Sequence, residues 1–118
     1  MNNPDIFKNK KILITGHNGF KGSWLTIWLS LLGAKVVGVS LPDKKLNNHF
    51  NLVKTKTKVK SYYFDIRNKK KLEKVILKEK PDFVFHLAAQ SLVYKSILDV
   101  RFNWETNVVG LLNVLEAL

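Results

Sequence analysis

Three glycines, Gly16, Gly19 and Gly22, stand three residues apart directly after the apolar run Ile12-Leu13-Ile14-Thr15. That spacing suits phosphate binding. A strand that delivers its last residue into Gly16 turns tightly because no side chain obstructs it, and Gly19 lets backbone amides approach a pyrophosphate with no Cβ between them. Gly22 then lets the following helix lie close on the strand. The first-turn N–H groups of that helix lack intrahelical partners and carry the positive end of its dipole, so a dianionic group fits there. A purely structural β-turn-α corner is the alternative. The strand before the glycines and the long apolar helix after them favour the binding reading.

Composition narrows the surroundings of that turn. At 118 residues, 46% hydrophobic and 25% charged, the chain is expected to form one small globular domain, 1–118, rather than a disordered segment. It has no cysteine, which excludes a disulfide scaffold and any thiolate metal site, and no metal-ligand cluster is read elsewhere. No stretch reaches about 18 uninterrupted apolar residues, and Met1-Asn2-Asn3-Pro4-Asp5 lacks the basic-then-apolar pattern of a signal peptide. A cytoplasmic location with no membrane partner is the expectation.

The net charge of +11 comes from lysines, with Arg67 and Arg101 the only arginines. Nucleic-acid surfaces are usually arginine-containing and interleaved with aromatics, so no nucleic-acid partner is read. The run Lys54-Thr55-Lys56-Thr57-Lys58-Val59-Lys60, if extended, places four ammonium groups on one face. That face is a solvated surface or a weak polyanion site.

The elements that must position the glycine turn follow from periodicity and punctuation. Residues 1–10 read as a polar lead-in, with Pro4 opposing helix, and 11–15 as the first strand. From Ser23 to Leu32 only residues 23, 26 and 30 are polar, so that helix is expected to be covered on most sides. Trp24 and Trp28 within it read as core or interface packing rather than ligand stacking. Gly33 suits a left-handed helix end. Residues 35–40 form a second strand, and 44–57 are polar with room for a short helix that leaves His49 an ordinary surface histidine.

A third strand spans 59–64. Asn68 is a candidate N-cap for a helix running to Lys80, stopped by Pro81, with Leu72, Val75 and Ile76 buried and Lys69–Lys71 opposing its dipole. Asp82 to Ala89 reads as a strand buried on both faces. A loop or short helix covers 90–98. From about Asp99 a long helix follows, with a stripe of Trp104, Val108, Leu111, Leu112, Leu115 and Leu118. This alternation specifies an α/β fold: a Rossmann-like, doubly wound parallel sheet of four strands in order 3-2-1-4, incomplete at its C-terminus. Its ligand is expected at the carboxyl ends of strands 1 and 4.

Several stretches resemble one family. Thr15-Gly16-His17-Asn18-Gly19-Phe20-Lys21-Gly22 looks like the TGxxGFxG fingerprint of the extended short-chain dehydrogenases/reductases. Asp65-Ile66, His86-Leu87-Ala88-Ala89 and Thr106-Asn107-Val108-Val109-Gly110 resemble the other motifs of that family's cofactor half, in order and spacing. Within it, the run 16–24 with Asp65-Ile66-Arg67 and Phe85-His86-Leu87-Ala88-Ala89-Gln90 is similar to the nucleotide-sugar 4,6-dehydratases that act on CDP-glucose. Other sugar-nucleotide dehydratases and epimerases, and a non-catalytic dinucleotide-binding module, are the alternatives.

The resemblance implies the following assignments. Backbone amides from Asn18 through Gly19 and Phe20 to Lys21 hold a pyrophosphate, between Gly16 and Gly22. Asp65 and Ile66 contact adenine, and Leu87, Ala88 and Ala89 flank the ribose and nicotinamide. Gln90 reaches toward the sugar nucleotide, and Asn107 supports the active-site hydrogen bonds, or else satisfies backbone within a helix pair. Ser40 occupies the end of strand 2, where many NAD enzymes carry an acid. Asp43 is nearby and Lys44 and Lys45 stand just beyond; losing the carboxylate and gaining ammonium groups relaxes rejection of a 2′-phosphate, which admits NADP, while the resemblance implies NAD. Residues Ser91, Ile97 and Val100 depart from the family's proline, tyrosine and proline.

The family's reaction oxidises C4 of the sugar, eliminates water across C5 and C6, and returns the hydride to C6. Its base is a tyrosine acidified by a lysine one helical turn on. Here Tyr62, Tyr63 and Tyr94 are followed four residues later by Ile66, Arg67 and Leu98, so Tyr-x-x-x-Lys is missing. No catalytic residue beyond the supporting Asn107 is therefore assigned. The chain alone is expected to lack dehydratase activity, the catalytic and substrate-binding part being absent. The resemblance implies a homodimer for the full-length enzyme.

Overall fold

A computed structural model describes residues 4–42, 49–54 and 57–118. After a 3-10 turn at Pro4–Phe7, the elements are β1 (Lys11–Thr15), α1 (Phe20–Leu31), β2 (Lys35–Ser40), α2 (His49–Val53), β3 (Lys60–Tyr63) and α3 (Lys69–Glu79). Then come β4 (Phe83–His86), α4 (Val93–Leu98), α5 (Val100–Trp104), a π-turn (Glu105–Val109) and α6 (Gly110–Ala117). The four strands form one parallel sheet in the order β3-β2-β1-β4, as the alternation predicts.

Because side chains alternate along a strand, β1 feeds both layers. Leu13 joins Val37, Val39, Ile66, Leu72, Val75, Ile76 and Val114 on one face, under α3 and α6. Ile12 and Ile14 join Val36 and Leu29 on the other, against Phe7, Phe83 and Phe85. Each fully buried aliphatic side chain there contributes about 1.5–3 kcal/mol. The Asn68 side chain caps α3 by accepting from the Lys71 N–H at 3.1 Å, and Lys80 closes the helix at φ 47°. Glu79, at the buried end of α3, pairs with Lys11 and Lys60 and accepts from the Tyr62 hydroxyl. Those partners hold its carboxyl down to about 2, the Lys60 hydrogen bond being the largest cause.

Several local expectations are corrected. Pro4 opposes an α-helix but is well suited to open a short 3-10 turn, because its fixed φ is helical and its missing N–H is not needed there. β3 is shorter than 59–64. β4 is half-buried rather than buried on both faces, because it is the sheet edge in this chain. The outer face of α1 is open, with Trp28 63% and Leu31 80% exposed, so its apolar content is not covered on most sides. Trp24 lies outside the core, stacked on His49 at 4.4 Å.

His49 is no ordinary surface histidine. Its Nδ1 sits 2.7 Å from Ser23 Oγ. The Ser23 hydroxyl donates to the Phe20 carbonyl, so the His49 ring N–H donates to Ser23. Most of the lysine run 54–60 departs from an extended face: Lys54 follows α2, Lys60 alone enters a strand, and Thr55 and Lys56 lie outside the described residues. Lys44, Lys45 and Asp43 also lie outside them. The long final helix is real, but a π-turn interrupts it. Its predicted stripe faces solvent, Trp104 and Leu115 each being 60% exposed, while Gly110, Asn113 and Val114 face the sheet.

Candidate functional site

The glycine turn is held by contacts that no side chain fits. Gly16 has φ +75°, and a Cβ there would lie 2.8 Å from the Ala88 nitrogen. A Cβ on Gly22 would lie 2.0 Å from the Gly16 carbonyl oxygen, so α1 packs directly on the turn. The Gly16 N–H donates to Val39 O, and Gly19, in extended backbone, caps α1 with no side chain. The first described intrahelical bond runs from Ser23 N–H to Gly19 O. Among the described residues, the N–H groups of Phe20, Lys21 and Gly22 have no backbone acceptor and stand at the positive end of the α1 dipole.

Thr15, fully buried at the end of β1, staples the β4 exit to this turn. Its Oγ1 accepts from the Leu87 and Ala88 N–H groups at 3.2 Å each, which commits its own proton to His86 Nδ1 at 2.7 Å. Burial holds His86 below the usual histidine range. On the opposite side His17 has no exposed surface, and its two ring nitrogens meet Ser40 Oγ at 2.8 Å and Ser61 Oγ at 2.9 Å. Its ring occupies the space over Gly38, where a Cβ would lie 2.2 Å away. Burial pushes the imidazole down to about 4, with the Val39 backbone acting weakly the other way. Asn18 ties the turn to the β2 exit by donating to Leu41 O at 2.8 Å.

At the β3 exit, burial raises the Asp65 carboxyl, but hydrogen bonds and charge from Arg67 outweigh that and hold it below its ordinary range. Asn107, in the π-turn, bonds both backbone groups of Gln90, accepting from its N–H at 2.8 Å and donating to its carbonyl at 3.0 Å. Its amide thus satisfies backbone at the β4 exit. The Gln90 side chain closes a ring on Leu92, donating to Leu92 O and accepting from Leu92 N–H, both at 2.9 Å. It therefore turns back on its own loop.

One cavity of about 730 Å³ opens at the carboxyl ends of the strands. It is lined by Gly16, Asn18, Gly19, Phe20, Lys21, Gly22, Ser40, Asp65, Ile66, Leu87, Ala88, Ala89 and Asn107, the whole set assigned from sequence to a cofactor. Gln90 is not among the lining residues. Leu41, Phe64, His86, Ser91, Phe102 and Thr106 also line it, with no binding role assigned to them from sequence. Phe102 precedes Thr106 by four residues, about one helical turn, so both are brought to the same side of this helical stretch. Among the described residues Thr106 Oγ1 is buried with no hydrogen-bond partner, and the Phe20, Lys21 and Gly22 N–H groups have no backbone acceptor. A donor-rich glycine turn, a carboxylate and apolar walls fit a dinucleotide.

Fold and cavity together define the class of dinucleotide-binding α/β domains, with the ligand crevice at the switch point between β1 and β4. The chain matches the family model described as GDP-mannose 4,6 dehydratase over residues 13–118, and it belongs to that family of extended short-chain dehydrogenases/reductases. It is 38% identical over 117 residues to CDP-glucose 4,6-dehydratase of Salmonella typhimurium, covering 99% of this chain and 33% of that protein. It is 37% identical over 121 residues to dTDP-D-glucose 4,6-dehydratase of Dictyostelium discoideum, covering 99% and 28%. Among solved structures, the UDP-glucose 4-epimerase of Thermus thermophilus in complex with NAD superimposes with TM-score 0.76 at 32% identity, covering 91% of this chain and 33% of that one. The chain spans about a third of the length of the curated relatives it matches.

Proposed function

We propose that this chain is the NAD-binding part of a nucleotide-sugar 4,6-dehydratase whose substrate is CDP-glucose. The observation that carries the reading is the convergence on one cavity of three α1 amides with no backbone acceptor among the described residues, the Asp65 carboxylate and the Leu87–Ala89 exit of β4. The amides of Phe20, Lys21 and Gly22 bind the pyrophosphate, with the α1 dipole favouring its charge. Asp65 accepts from the adenine amino group, and Ile66 supplies an apolar wall beside it. Leu87, Ala88 and Ala89 flank the nicotinamide ribose at a height set by the Thr15 staple.

Ser40 commits its hydroxyl to His17 and brings no carboxylate to the ribose, so NADP is admitted but NAD is the cofactor proposed. When bound, NAD supplies a reversible hydride acceptor. Tyr-x-x-x-Lys is missing from this chain, so the proton abstraction that opens such a reaction has no base here. CDP-glucose is preferred over the substrates of the epimerases because the CDP-glucose 4,6-dehydratase similarity runs over nearly the whole chain at 38% identity, against 31% over 92% for one of the UDP-glucose 4-epimerases.

Two assays on the purified chain test the reading. Calorimetric titration is expected to give saturable NAD binding, and absence of heat with NAD at millimolar concentration overturns it. Incubation with CDP-glucose and NAD is expected to yield no 4-keto sugar, and turnover overturns the assignment of the base to residues outside this chain.

A further inference from the structure

The cavity lining does not include Arg67, yet its side chain bonds Asp65, which lines the cavity, and Glu105, which opens the turn that carries the lining residue Asn107. Its Nε and Nη2 donate to Asp65 Oδ2 at 3.1 and 2.8 Å, and its backbone N–H donates to Asp65 Oδ1 at 2.9 Å. Its Nη1 donates to Glu105 Oε2 at 3.1 Å. The guanidinium also lies over the Phe102 ring, 4.7 Å from its centroid. Asp65 and Phe102 line the cavity, and Glu105 opens the π-turn that carries Asn107. A planar fork with fixed donors is held from three sides, an arrangement a lysine ammonium does not reproduce.

Donor counting gives this clamp a consequence. An ionised carboxylate offers about four acceptor sites, two on each oxygen. Arg67 fills both sites on Oδ2 and one on Oδ1, so one acceptor site remains, at a fixed angle. One fixed acceptor reads one N–H. An adenine amino group meets it, whereas a hypoxanthine turns a carbonyl oxygen toward the same place and is repelled. A carboxylate freed from the clamp swings toward the neighbouring ring N–H that hypoxanthine carries, and the distinction fades.

We infer that Arg67 is a positioning residue for base selection: with Phe102 and Glu105 it fixes Asp65 so that a single acceptor faces the base of the bound dinucleotide. This rests on the NAD reading above. It also ties that end of the cavity to the π-turn. Gly110 packs so close to Ile66 that a Cβ would lie 2.5 Å from Ile66 Cδ1, and Asn113 donates to the carbonyls of Ile66 and Arg67.

The test compares NAD with nicotinamide hypoxanthine dinucleotide by titration of the whole chain, as wild type, Arg67→Lys and Phe102→Leu. Wild type is expected to prefer NAD by roughly tenfold or more, the scale of a lost hydrogen bond to a charged group. Arg67→Lys keeps the charge and loses the fork, so the ratio is expected to fall to within about twofold. Phe102→Leu leaves every charge in place and is expected to cut the ratio by roughly threefold. It decides the matter if the lysine variant does not fold. Loosening of the fold alone weakens both ligands together and leaves the ratio where it was. A wild-type chain that binds both equally, or a folded variant with an unchanged ratio, overturns the inference while NAD binding stands. A wild-type chain that binds neither overturns the NAD reading and the inference with it.

Discussion

His17 sits in the bend of the glycine turn with no exposed surface, neutral between two serine hydroxyls. Its imidazole is pushed down to about 4 by burial, whereas in the unfolded chain it titrates near 6.5. Between those values the unfolded state binds more protons, so stability is level above pH 6.5 and falls as the pH drops to about 4. The shift of 6.5 to about 4 corresponds to about 3 kcal/mol across that window. His86 moves in the same direction, and Glu79 acts only below 4.5, so a variant isolates the His17 share. Urea unfolding at pH 7 and pH 4.5 is expected to show a marked loss for wild type and a clearly smaller one for His17→Asn; equal losses count against the account. Sequence reasoning placed the residues around His17 but passed over His17 itself. Its signal was Gly38 on the neighbouring strand, a gap in a β-branched run that only the register of β1 against β2 connects to the ring.

Elements were legible wherever local chemistry decides them. Asn68 caps α3, Pro81 follows its end, and the β-branched runs gave strands at 11–15 and 35–40 with their boundaries intact. The last helix shows what periodicity leaves open. Its apolar residues were read as one stripe, but periodicity does not say which side that stripe takes, and it lies exposed. Two features that hydrophobic spacing does not register turn it. The π-turn at Glu105–Val109 shifts the following helix by one residue, and Asn113 is drawn inward by the Ile66 and Arg67 carbonyls at 3.1 and 3.2 Å. Packing chooses Gly110, Asn113 and Val114 although Leu111, Leu112 and Leu115 are the more apolar. Asn113→Leu is therefore expected to destabilise, despite adding hydrophobic volume at a buried position. It leaves carbonyls without their donor, at about 1–3 kcal/mol. Thermal unfolding checks the sign: a variant as stable as wild type, or more so, removes the amide from the account of α6 orientation.

At the scale of the whole molecule, strand order, layer assignment and the position of the crevice were all readable from the β/α alternation, because right-handed crossovers leave few alternatives. What composition left open was the effect of a net charge of +11. The ion pairs answer part of it. Among the described residues every acidic side chain except Asp99 already faces a lysine or arginine, and Asp99 caps the Phe102 N–H instead. Attraction is thus largely used up in short pairs, some of them, such as Glu79, sheltered from solvent and weakly screened. The surplus ammonium groups repel one another across the surface at longer range, where screening acts most. Raising ionic strength from about 0.01 to about 0.15 M shortens the Debye length from about 30 to about 8 Å, and so removes more repulsion than attraction. The thermal midpoint of the chain is expected to rise by a few degrees over that interval in sodium chloride. Association with NAD, whose pyrophosphate is drawn toward the same cationic surface, is expected to slow over the same interval, with its dissociation rate nearly unchanged. Scanning calorimetry and stopped-flow mixing read the two effects separately. A midpoint that falls with salt would mean that the short ion pairs, rather than lysine repulsion, dominate the electrostatics of this domain.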